Sequence, residues 1–172
     1  MSALTYSWFM EARTLHAPLN ALSAATRPPG IEIATLTTFD IPALAVLTLE
    51  AYGDEVTPEA LLETSEELRL TFEGAFGATT EDSFVGAWDG GTLVGAILVV
   101  RESPWDDAPD DPFVVDLIVA PDYRRRGIAT ALVAEVAGRC ASWGFGSLAL
   151  RLDSRHGGAN ELYSVLGFEE IA

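Results

Sequence analysis

The chain has 172 residues, 49% of them hydrophobic, and its ten basic residues, all arginine, stand against 26 acidic ones for a formal net charge of -16. That length suits a single domain able to bury a sizeable core. The acidity excludes a general nucleic-acid binder, and the lack of an apolar run of about 18 residues excludes a membrane-spanning helix.

Taken in chain order, residues 1–30 read as an extension ahead of the domain. Tyr6 to Leu22 suits either a short helix covering a core edge or a disordered tail, and Arg27-Pro28-Pro29-Gly30 is a strong breaker. The domain is expected over 31–172. Ile31 to Thr37 predicts a strand, and Asp40 to Ala51 a helix capped by Asp40 with Pro42 in its first turn. Thr57-Pro58-Glu59 opens a second helix running to about Phe76. Ser83 to Trp88 and Thr92 to Val100 read as two strands joined by the hairpin signal Asp89-Gly90-Gly91.

An acidic loop, Glu102 to Asp111, then holds five acids, no base and one aromatic, Trp105. Phe113 to Ala120 is apolar on both faces, as expected of a buried central strand, except for Asp116. A helix is predicted near 125–143, where Ile128, Leu132, Val136 and Cys140 recur at i+4 steps. Ser147 to Asp153 reads as a further strand, followed by a last helix and by another strand beginning at Phe168. Cys140 sits on the apolar face of its helix and has no partner for an internal disulfide. With no basic leader before the first apolar residues, the cytoplasm is the expected compartment.

The chemistry concentrates where the central strand runs into Arg124-Arg125-Arg126-Gly127-Ile128-Ala129. The first turn of a helix carries N-H groups without intrahelical partners and a dipole that favours anions, so phosphates bind there. Gly127 has no Cβ and lets the backbone approach a ligand, Ala129 keeps the start uncrowded, and Thr130 adds a hydroxyl donor. The Arg124 to Arg126 triplet reverses the sign of an acidic surface at this point. Asp116 requires its own explanation: burial raises a carboxyl pKa and makes it a proton acceptor near neutrality, while a structural carboxylate accepting backbone N-H bonds fits the same position. Two histidines and one cysteine make no metal cluster, so no metal is expected.

This segment resembles the pyrophosphate-binding motif of the GNAT superfamily of acyl-CoA-dependent N-acetyltransferases: Arg or Gln, two residues, Gly, one residue, Gly or Ala, here Arg124, Gly127 and Ala129. Asp116-Leu117-Ile118-Val119-Ala120-Pro121-Asp122-Tyr123 resembles the strand that feeds that loop. Ala159, Leu162-Tyr163 and Leu166-Gly167-Phe168 resemble the family's second block. The two together cover about 113–168. In place of an Asn common in the family seven residues before the Tyr, this chain has His156, and it stops at Ala172, where the family's usual final strand is missing or supplied otherwise.

The resemblance implies an α/β (α+β) fold with a mixed, mostly antiparallel twisted sheet, helices on both faces, and a splay between the strand ending near Ala120 and the one beginning near Ser147. It implies acetyl-CoA as cosubstrate, with Leu117, Ile118 and Val119 offering backbone groups to pantetheine as an added strand would, and Arg124, Arg125, Arg126, Gly127, Ile128, Ala129 and Thr130 meeting the pyrophosphate. His156 is either a contact to CoA or substrate or a surface loop residue. Asp116 would bind or deprotonate the amine, and Tyr163 would protonate the leaving thiolate, its alternative being a packing role. The acidic loop and Trp105 suit a cationic acceptor, or form a solvated loop. The expected reaction is direct transfer of the acetyl group to a primary amine on a small cationic metabolite, a drug or a peptide N-terminus; the alternative is a non-catalytic acyl-CoA-binding regulatory module. A homodimer completing the short sheet edge is a further implication.

Overall fold

The computed structural model describes residues 13–22, 26–102, 110–152 and 159–171, without the side chains of 159–161. Trp105 and His156 lie outside the described residues. In chain order the elements are β1 (Arg13–Pro18), α1 (Leu19–Leu22), β2 (Ile31–Thr35), α2 (Ile41–Ala51), α3 (Pro58–Phe72), β3 (Phe84–Asp89), β4 (Thr92–Val100), β5 (Phe113–Val119), α4 (Ile128–Ser142), β6 (Ser147–Leu152), α5 (Ala159–Leu166) and β7 (Glu169–Glu170). The strands form one sheet in the order β2-β3-β4-β5-β6-β1-β7. Every neighbouring pair is antiparallel except β5 with β6. No helix among the described residues is long and apolar enough to cross a membrane.

The N-terminal segment corrects the sequence reading. Arg13–Pro18 is neither a helix nor a tail ahead of the domain: it is a strand paired along its whole length with β6, from Arg13 opposite Leu152 to Pro18 opposite Ser147. Leu15 and Ala17 alternate into the core, at 8% and 0% exposure, which is the period-2 pattern a half-buried strand requires. β7 then pairs with β1 at Leu15 and His16. β1 therefore lies between β6 and β7 in the sheet.

Two cores sandwich the sheet. Ile128, Leu132, Val136 and Cys140 of α4 join Leu19 and Leu22 of α1, Leu15 and Ala17 of β1, and Tyr163 of α5. On the other side Leu44 and Leu47 of α2 and Leu68 of α3 pack against Phe84, Ala96, Leu98 and Ile118. A Cβ on Gly95 of β4 would lie 2.9 Å from Ile128 Cγ2 and 3.2 Å from Leu132 Cδ1, so the missing side chain lets the start of α4 lie directly on the sheet.

Helix ends follow the predicted punctuation with three differences, one being that α4 opens at Ile128 and not near 125. α3 stops at Phe72, not Phe76, because the chain turns at Gly74, whose N-H donates to the Thr71 carbonyl. Asp40 holds the N-cap position of α2 as expected, but its side chain makes no bond to that helix; its Oδ2 accepts from the Thr37 N-H at 2.8 Å in a capping box around the short 3-10 turn Thr38–Asp40. The closing of α2 matters more for function. Gly53 takes φ 73, its N-H donates to the Glu50 carbonyl at 3.2 Å, and the Asp54 N-H donates to the Leu49 carbonyl at 2.9 Å. This double bond around a left-handed residue fixes Tyr52 as the last residue of the helical path.

Candidate active site

The site forms where β5 parts from β6. The two strands pair only at Phe113 with Ala149 and Val114 with Leu150, so among the described residues no strand continues along that edge of 115–119. The β4 register shows why the strands diverge: Leu98 faces Asp116 and Val99 faces Val114, leaving Val115 as an extra residue on β5. A bulge bends its strand and re-aims the side chains beyond it. Counted from Val114 in strict alternation, Asp116 would point toward the α4 side. The bulge turns it to the side of Ile118, where α2 packs.

There the Tyr52 hydroxyl donates to Asp116 Oδ1 at 2.6 Å. Asp116 is half-buried, and its charge also reaches Tyr163. Tyr163 is 5% exposed and packs edge-on against Phe168, with ring centroids 5.4 Å apart. Burial first, and the Asp116 carboxylate second, push its phenol well above the ordinary tyrosine range, so its hydroxyl stays protonated at neutral pH. The α5 terminus fixes this ring: the Gly167 N-H donates to the Ser164 carbonyl and the Phe168 N-H to the Tyr163 carbonyl. Tyr163 belongs to the α4-side core and Asp116 to the α2 side, and the carboxylate charge is still felt at the phenol.

The basic loop turns from β5 into α4. Gly127 is the N-terminal cap of α4 with φ 82 and ψ 10, and no side chain caps the helix there. The N-H groups of Ile128, Ala129 and Thr130 precede the first intrahelical bond, which runs from the Ala131 N-H to the Gly127 carbonyl at 3.0 Å. A Cβ on Gly127 would meet nothing nearer than Pro28 Cγ at 3.8 Å, so the glycine is required by its φ and not by crowding. Arg125 itself adopts φ 63, a strained value for a side-chain-bearing residue and one that recurs at functional turns. The Arg126 guanidinium lies 4.8 Å from the centre of the Tyr123 ring, and the Tyr123 hydroxyl donates to Asp89 Oδ2 at 2.6 Å.

The three arginines divide their work. Arg125 and Arg126 are exposed beside the helix start. Arg124 is exposed too but tied to the backbone: its Nε donates to the Val119 carbonyl at 3.2 Å and its Nη2 to the Ala51 carbonyl at 2.6 Å. Leu117 and Val119 pack on the α4 side and Ile118 on the α2 side, so what these residues can present along the open edge is backbone. An uncapped helix start with two exposed guanidinium groups fits a pyrophosphate, and a strand edge beside it fits an extended amide-bearing chain. Tyr52 is the residue the sequence reading missed; its one signal was its place before Gly53, a helix-ending glycine.

The profile described as "Acetyltransferase (GNAT) family" matches residues 46–168, and the chain belongs to that family. No curated protein sequence matches the chain. Among solved structures, the chain is similar to a GCN5-related N-acetyltransferase from Sphaerobacter thermophilus, with 24% identity and a TM-score of 0.66 over 93% of this chain and 48% of that one. This chain therefore spans about half of that protein's length. It is also similar to the ribosomal-protein-S18-alanine N-acetyltransferase from Escherichia coli, with 20% identity and a TM-score of 0.61 over 83% of this chain and 79% of that one. A third similar structure is AAC(6')-Iy in complex with the bisubstrate analog CoA-S-monomethyl-acetylneamine, with 19% identity and a TM-score of 0.61 over 83% and 92% of the two chains.

Proposed function

We propose that the chain is an N-acetyltransferase that moves an acetyl group from acetyl-CoA directly to a primary amine. The observation that carries the reading is the open edge of β5 beyond Val114, which carries Asp116 and runs into the uncapped start of α4. Acetyl-CoA supplies the acetyl group as a thioester. The backbone of Leu117 to Val119 pairs with its amide-bearing arm, and the N-H groups of Ile128, Ala129 and Thr130, with Arg125 and Arg126 beside them, hold the pyrophosphate. Asp116 binds the ammonium form of the acceptor and takes its proton, directly or through water, and Tyr163 gives its proton to the departing sulfur. Holding both reactants in one cleft supplies much of the rate.

The acceptor is a cationic small metabolite or drug, or a peptide N-terminus. The acidic surface and the acids of the Glu102 to Asp111 loop support a cation; Trp105 and His156 complete the acceptor and CoA contacts in this proposal. The similar structures of a ribosomal-protein-S18-alanine N-acetyltransferase and of AAC(6')-Iy with the bisubstrate analog CoA-S-monomethyl-acetylneamine are consistent with either class.

The test is thiol release from acetyl-CoA across polyamines, aminoglycosides, amino acids and short peptides, with calorimetry of acetyl-CoA binding. Release with one amine class that Asp116→Asn abolishes supports the reading. Tight binding with no release from any amine returns the regulatory module, and a fully active Asp116→Asn removes the proposed role of the carboxylate.

A further inference from the structure

We infer that Tyr52 is a positioning residue for the acceptor side of the reaction, acting through Asp116; this rests on the reading that Asp116 serves the amine. Its hydroxyl holds Asp116 Oδ1 at 2.6 Å, a short bond of the charge-assisted kind. A carboxylate at a strand bulge turns freely about its last bond unless an oxygen is pinned. Pinning Oδ1 fixes the plane of the group and therefore the direction in which it meets an amine.

The structure holds Tyr52 itself from two sides. The Gly53 turn fixes its backbone at the end of α2 through bonds to the Glu50 and Leu49 carbonyls. The preceding carbonyl, Ala51, accepts from Arg124 Nη2 at 2.6 Å, and the same guanidinium holds the Val119 carbonyl at 3.2 Å. One side chain thereby ties the end of α2, next to Tyr52, to the end of β5, three residues beyond Asp116. The Tyr52 ring packs against the α2-side core, so a phenylalanine keeps the packing and removes only the hydroxyl.

The discriminating experiment is steady-state kinetics of Tyr52→Phe with the amine identified by thiol release, together with acetyl-CoA affinity by calorimetry and thermal stability. The expected result is a fall in kcat/KM for the amine of about 10- to 100-fold, the scale of a misplaced reacting group, with acetyl-CoA affinity unchanged within about twofold and stability preserved. In an Asp116→Ala background the same substitution has no further effect, since non-additivity marks groups that act as a unit. Wild-type amine kcat/KM in Tyr52→Phe, with Asp116→Ala impaired, overturns the inference and leaves the functional reading standing. Equal losses in amine turnover and acetyl-CoA affinity also overturn it, because they mark a general structural role. A fully active Asp116→Ala, or a wild type without turnover on any amine, sinks the functional reading and this inference with it.

Discussion

The Arg124 guanidinium donates to the Ala51 carbonyl at 2.6 Å, closing the last open carbonyl of α2 with a residue from the basic loop. Tyr52, Asp54 and Gly53 take the Thr48, Leu49 and Glu50 carbonyls, so the helix end is complete only with this arginine. A cation at that end also meets the negative pole of the helix dipole. Arg124→Ala is expected to lower stability by about 1 kcal/mol, the lower range for a hydrogen bond from a charged donor because the side chain is exposed, or about 2 to 4 °C in Tm at this chain length. It should also reduce amine kcat/KM in the manner of Tyr52→Phe. Thermal unfolding and kinetics of the two variants side by side check this; an Arg124→Ala protein that loses only acetyl-CoA affinity contradicts the tether.

Most of this architecture was legible in the residues, and the failures have physical causes. Period-2 and period-3.6 patterns with Gly and Pro breakers located β2 to β6 and α2 to α4. β1 escaped because its partner β6 lies at the far end of the chain, where no local pattern announces pairing. Asp116 stood out as a lone acid in an apolar strand. The Val115 bulge that aims it did not, since Val114 and Val115 are the same residue type and only the β4 register separates them. Tyr52 meets Asp116 across 64 residues of sequence, a distance over which spacing carries no information.

Gly127 tests the helix-start site. Its φ of 82 is open to glycine and costs a side-chain-bearing residue about 1 to 2 kcal/mol, while space is not limiting, since the added Cβ would lie 3.8 Å from Pro28 Cγ. Gly127→Ala should therefore lose stability through the backbone alone and bind acetyl-CoA several-fold more weakly, because the turn must shift to relieve the strain. Gly91, with nothing within 4 Å and no positive φ, is the control: Gly91→Ala should leave both unchanged. Calorimetric titration of the two variants separates a local effect from a general one.

Gly95 tests how that helix start is held against the sheet. An alanine there would put Cβ 2.9 Å from Ile128 Cγ2, and Ile128 is the first residue of α4 and is 1% exposed. A branched side chain so enclosed cannot yield without moving the helix, so Gly95→Ala should cost about 1 to 3 kcal/mol as an overpacking change and weaken acetyl-CoA binding together with stability. Gly138, on the exposed side of the same helix with open space around it, should respond in the opposite sense. Gly138→Ala is expected to add about 0.5 to 1 kcal/mol through helix propensity. Urea denaturation of both variants gives the two signs.

Two buried acids set the alkaline limit of the fold. Burial first, and the charge of Asp82 second, push the Cys140 thiol from 9.0 up to about 12, and Tyr163 is raised in the same direction by burial and Asp116. For each group the folded state keeps a proton that the unfolded chain has already released, so the unfolded state binds fewer protons and stability falls as pH rises. The stabilisation is complete below about pH 9; the thiol's share is lost between about 9 and 12, and the phenol's begins to go near pH 10. Within that window each group removes up to about 1.4 kcal/mol per pH unit. Urea midpoints measured from pH 7.5 to 11 should decline from about pH 9, and Cys140→Ala should flatten the first part of the decline while lowering the neutral-pH midpoint through the small cavity it leaves. The same burial, with Cys140 at 0% exposure, predicts that iodoacetamide at neutral pH modifies the thiol only after unfolding. Rapid alkylation of the native protein, or a pH curve unchanged by Cys140→Ala, would contradict the assignment.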